Sequence, residues 1–83
     1  MSRSPGHERR PGADRTDIVM AARRQGWSVS TSGSKMVLER FGIEIYVAFD
    51  NKGRLYRAGI INGPAFRGEG MFQRLMIFLD TGQ

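Results

Sequence analysis

The fold class predicted for this 83-residue chain is a two-layer α+β sandwich in the order α-β-β-β(-β)-α, an antiparallel meander with both helices on one face. Three observations predict it. The stretch "IEIYVAFD" at 43–50 sets Ile43, Ile45, Val47 and Phe49 against Glu44, Tyr46, Ala48 and Asp50, the two-residue period of a strand with one face buried. The stretch "MFQRLMIFL" at 71–79 is apolar at seven of nine positions, with only Gln73 and Arg74 polar, which predicts a packed helix. On either side of the first stretch, "TSGS" at 31–34 and "DNKG" at 50–53 set Gly, Ser, Asn and Asp at hairpin spacing.

The elements follow in order. Residues 1–15, "MSRSPGHERRPGADR", carry two prolines, two glycines and little to bury, so they predict a disordered basic arm ahead of a folded domain at 16–83. Such an arm suits phosphate attraction, but a charge run of this length is more often a solvated tail. Thr16 reads as an N-cap with Asp17 in the first turn, Ile18, Val19 and Ala22 form an apolar stripe, and Gly26 closes the first helix. Trp27–Ser30 reads as a short strand, "TSGS" as a turn, and Lys35–Arg40 as a strand with Met36 and Leu38 inward. A Phe41-Gly42 corner leads into 43–50. "DNKG" is a type I turn with glycine at the bulge position, returning as "RLYRAGII" with Asp50 near Arg54, Phe49 near Leu55 and Tyr46 near Ala58. "NGP" ends the sheet, "AFRGEG" is a loop, and the second helix stops at Asp80 and Gly82.

Composition narrows the function classes. One small core allows one domain and limited stability. The chain has no cysteine and a single histidine, His7 in the arm, so thiolate chemistry and cysteine-based metal sites are absent. Ser28, Ser30, Ser32 and Ser34 have no histidine partner, and Asp17, Glu39, Glu44, Asp50, Glu69 and Asp80 lack metal-ligand spacing. The expectation is a chain with no catalytic residues, no metal and no cofactor. No apolar run is long enough to span a bilayer, and no apolar segment follows the arginines of the N-terminus, which predicts a cytoplasmic protein. The net charge of +5 divides into +2 for residues 1–15 and +3 for residues 16–83, so the domain is only mildly basic.

Two candidate surfaces emerge. Arg23 and Arg24 on helix one, Lys35 at the second strand, and Tyr46, Arg54 and Tyr56 on the open sheet face form a candidate nucleic-acid surface, with tyrosines to stack bases and cations for phosphates. On the second helix, Phe72, Leu75, Met76 and Leu79 supply the packing stripe, leaving Met71, Ile77 and Phe78 as a candidate interface with a protein partner or a second copy. The apolar excess is more specific than the charge, so protein association ranks first and nucleic-acid binding second.

The helix, Gly26-Trp27, the Ser/Gly turn and the meander resemble the double-stranded-RNA-binding fold, and especially the HicA-type mRNA-interferase toxins. In those toxins a Gly-Ser-His triplet opens the second strand, and its histidine serves RNA cleavage. Here the matching residues are Gly33, Ser34 and Lys35, so the resemblance implies RNA contact at Lys35 without the histidine. It also implies phosphate binding where the second helix opens, at "FRGEGM". The order is similar, too, to small proteins of actinobacterial phages, which implies a phage or mobile-element accessory role.

Overall fold

The computed structural model describes residues 13–82. It is an α+β domain: helix α1 (Ala13–Arg24), strands β1 (Ser28–Ser32), β2 (Lys35–Arg40), β3 (Ile43–Phe49), β4 (Leu55–Ile60) and β5 (Ala65–Phe66), then helix α2 (Met71–Thr81). The strands form one antiparallel meander in the order β1-β2-β3-β4-β5. Both helices cover one face. Ile18, Ala21 and Ala22 of α1 and Leu75 and Leu79 of α2 share a core with Trp27 and with Met36, Leu38, Ile45, Val47, Phe49 and Ala58 of the sheet. The alternation in β2 and β3 dictates this, because every second side chain must face the same layer.

Helix α1 begins at Ala13, three residues before the expected Thr16 cap, so the predicted arm boundary after residue 15 falls inside it. Asp14 is buried and accepts the Leu55 amide at 2.8 Å. Arg15 donates to the Gly33 carbonyl at 3.0 Å and lies over the Phe49 ring. These tertiary bonds hold a turn of helix that local propensity does not start. The predicted arm otherwise lies outside the described residues. At the other end the helix closes on Gly26, φ 86°, with Trp27 N–H bonded to Ala22 and Gly26 N–H to Arg23, the paired bonds of a Schellman motif.

The β3–β4 turn forms as read: Asp50 Oδ1 accepts the amides of Lys52 and Arg54, and Gly53 takes φ 80°. The backbone donors of Arg54 and Lys52 hold the Asp50 carboxyl below its ordinary range. Beyond the turn the expected register fails. Phe49 pairs with Leu55, but a bulge at Tyr56 shifts the ladder so that Tyr46 faces Gly59 and not Ala58. The predicted loop at Ala65 is the second correction, because Ala65 and Phe66 pair with Gly59 and Ala58 as a fifth strand.

The β2–β3 connection is two residues, Phe41 at φ 54° and Gly42 at φ 80°. Both positions of such a turn favour Asn-Gly. A bulky side chain there costs about 1–2 kcal/mol, against roughly 0.5–1 kcal/mol from the exposed Phe41 ring beside the Arg40 guanidinium. Phe41→Asn should therefore stabilise the fold by about 0.5–1 kcal/mol. An unchanged or lower urea midpoint would show that the ring contributes more than the backbone loses.

Candidate nucleic-acid interface

Strand register organises the open face of the sheet into rows. Ala48 on β3 is the register partner of both Lys35 on β2 and Arg57 on β4, so two cations flank it in one row. Val37, Tyr46 and Gly59 form the next row, and Glu39 and Glu44 stand directly opposite each other in a third. Two carboxylates at that separation repel, and Glu39 is partly occupied in accepting the Gly42 amide at 3.0 Å. The face is thus polarised, positive toward the β3–β4 turn and negative toward the β2–β3 turn.

Gly59 has a specific use in this arrangement. A Cβ built on it would come within 2.5–2.8 Å of the Tyr46 ring and hydroxyl, so the ring lies across the glycine backbone. Only a residue without a side chain lets an aromatic settle flat on the sheet there.

Because β5 is only two residues long, it leaves the Leu55–Arg57 end of β4 uncovered. An open groove of 370 Å³ occupies that corner, with Tyr46, Tyr56, Arg57, Phe66, Arg67 and Met71 among its walls and no carboxylate among the described residues lining it. Tyr56 is 57 % exposed, placed at the groove by the same bulge that shifted the register. The volume is at the lower end of small-ligand clefts.

Of the sequence-predicted residues, Tyr46 and Tyr56 come together, and Lys35 stands at the far end of the cationic row. Arg54 is exposed at the turn and does not line the groove; Arg57 and Arg67 take the place expected of it. Sequence reasoning missed both. The Tyr-Arg pair at 56–57 was its only trace, since Arg67 joins through the unforeseen β5. Arg23 and Arg24 lie in the helical layer, on the other side of the sheet from Tyr46, and Arg24 borders a cleft between the two helices. A single surface running through all six does not form.

The candidate interface on α2 also divides. Phe78 is half-buried, edge-on to Phe66 at 5.7 Å and tilted against Trp27 at 6.3 Å, and Met71 packs on the core periphery. Both reach strand β5 and the sheet edge, because the apolar face of α2 is wider than the expected stripe. Ile77 alone of the three is exposed, at 60 %. It borders the 290 Å³ cleft with Ala21, Arg24, Gln25, Met76 and Asp80.

Among the described residues no three His, Cys, Asp or Glu side chains cluster as metal ligands would, and no helix is long and apolar enough to cross a membrane. Lys35, standing where the toxin resemblance has its histidine, is exposed, a placement open to phosphate. Compared with protein families, with curated proteins and with solved structures, the chain matches none.

Proposed function

We propose that this protein is a small binding module for single-stranded nucleic acid, acting through the β4–β5 groove and the cationic row beside it. The observation that supports this most is the groove wall itself: two tyrosines and two arginines around one open space, with no carboxylate among the described residues that line it. Tyrosine faces stack bases of any sequence, and guanidiniums pair with phosphates in bidentate fashion. Lys35 and Arg57 extend the positive track across the sheet, while the Glu39–Glu44 row turns a phosphate backbone away from the other end. Protein association, the other reading of the sequence, retains Ile77 as its exposed apolar residue on α2.

Fluorescence anisotropy with a labelled oligouridine and the full chain tests the proposal. Affinity should fall with salt, and Arg57→Ala with Arg67→Ala should flatten the logarithmic slope by about 1.4, roughly 0.7 per lost single-strand phosphate contact. Tyr46→Ala should weaken binding by roughly five- to 150-fold, equivalent to about 1–3 kcal/mol per stacked base. Gly59→Ala should do nearly the same without touching an arginine or tyrosine, by expelling the ring from its seat. Arg23→Ala with Arg24→Ala should leave the affinity within about twofold, since both sit in the other layer. No binding at low salt, or equal losses from the helix arginines, sinks the proposal.

A further inference from the structure

Among the described residues strand β1 is a free edge of the sheet, and its sequence, "SVSTS", has no charge, no proline and no bulge to discourage pairing. The opposite edge is protected differently: β5 has two residues and follows Pro64.

The hydrogen-bond phase of the sheet shows which groups β1 leaves open. Phe49 N–H bonds to Ser34 O at 2.9 Å, so even-numbered residues of β2 bond to β3 and odd-numbered ones to β1. In β1 that turns the backbone of Ser28, Ser30 and Ser32 inward, onto Glu39, Val37 and Lys35. Val29 and Thr31 therefore direct their N–H and C=O groups away from the sheet. No described residue bonds to those outward groups. The open stretch is bounded on both sides. Trp27 N–H is already given to Ala22 at 2.9 Å, and the Gly33 carbonyl already accepts from Arg15 at 3.0 Å.

What remains is one donor–acceptor residue on each side of Ser30, a pattern complementary to itself. We infer that β1 pairs antiparallel with β1 of a second copy, about a twofold axis through Ser30, to form a continuous sheet across a dimer. Val29 would face the partner's Thr31, and Thr31 the partner's Val29, each pair exchanging two backbone hydrogen bonds. Ser28 would face the partner's Ser32, and Ser30 its own copy. No like charges meet, and the half-buried Val29 gains cover on the helix side of the sheet. A second copy suits this edge better than an unrelated peptide. Added strands gain specificity from side-chain pockets, and neither groove described above includes a β1 residue, whereas the bounded length and symmetric phase match the chain's own β1. The contact is small, so the dimer is a weak one. It puts self-association at β1 and not at α2, and leaves both nucleic-acid grooves free on the outer edges.

Sedimentation of the full chain from micromolar to millimolar concentration should show a monomer–dimer equilibrium. Ser30→Lys sets two ammonium groups face to face on the axis and should raise the dissociation constant roughly tenfold or more; Ser30→Glu alone should do the same. An equimolar mixture of the two variants should restore association as a heterodimer. Ser30 is exposed, so both variants keep the fold, which far-UV circular dichroism checks. Amide exchange of Val29 and Thr31 should slow as concentration rises, while Ser28 and Ser30 stay protected throughout. A chain monomeric at millimolar concentration, a dimer indifferent to Ser30→Lys, or a mixture that fails to associate overturns the inference.

Discussion

Trp27→Ala is expected to leave the chain largely unfolded at room temperature. Trp27 is 3 % exposed, and its indole N–H donates to the Leu79 carbonyl at 2.8 Å, tying the end of α1 to the end of α2. Arg40 lies over the indole at 4.8 Å and donates to Gln25 O at 2.6 Å, and Gln25 in turn donates to Asp80 at 2.8 Å. Removing a buried aromatic of this size costs about 3–5 kcal/mol, and stranding a buried carbonyl adds about 1–3 kcal/mol. A domain of this length has roughly 4–12 kcal/mol in total, so the loss takes most of it. Trp27→Phe goes part of the way, because it keeps a ring toward Phe78 and Arg40 while removing the donor and the fused five-membered ring. It should lower stability by about 1–3 kcal/mol. Far-UV circular dichroism against urea measures both. A cooperative transition in Trp27→Ala within about 1 kcal/mol of the parent would refute the role assigned to this side chain.

The second large effect is expected at Asp14, in the turn of α1 that precedes the predicted cap. Its carboxylate, 8 % exposed, accepts the Leu55 amide at 2.8 Å, anchoring the helix start to the first residue of β4. Asp14→Ala leaves that half-buried donor without its acceptor, at a cost of about 1–3 kcal/mol. Asp14→Asn retains an acceptor oxygen without the charge and should recover about half of the loss. Amide exchange supplies a local readout: Leu55 should exchange faster in Asp14→Ala by more than the drop in global stability accounts for. If Leu55 keeps its protection and the urea midpoint holds, α1 is anchored by Arg15 and Ile18 alone.

Both predictions concern bonds between residues far apart in the chain, and this separates what was legible from what was not. The alternation of β3, the Asp50–Gly53 turn, the Phe41-Gly42 corner and the Gly26 stop are encoded within a few neighbouring residues, and each formed where it was read. Strand β5 has no such local code. Two residues have no period, and Ala65–Phe66 becomes a strand because β4 offers it an edge and Phe78 packs on Phe66. The bulge at Tyr56 was equally hidden: the hairpin turn sets register only up to the point where Phe49 meets Leu55.

The same division holds for the candidate site. Tyr46 on the open face followed from the two-residue period of β3, and the exposure of Lys35 from that of β2. That Arg57 and Arg67, and not Arg54, stand beside those rings was decided by a one-residue bulge and a two-residue strand. That Arg23 and Arg24 face away was decided by the helices sharing one layer. By itself, then, the sequence determined the class of fold, the order of its main elements and the absence of cysteine chemistry, because periodicity, turn chemistry and composition act over short windows. The tertiary structure alone decided where α1 begins, how β4 is registered and which cations meet the aromatics. The first depends on a pair 41 residues apart, Asp14 with Leu55, and the others on the bulge and on β5 finding the edge of β4, contacts whose energy exists only once the layers have closed on one another.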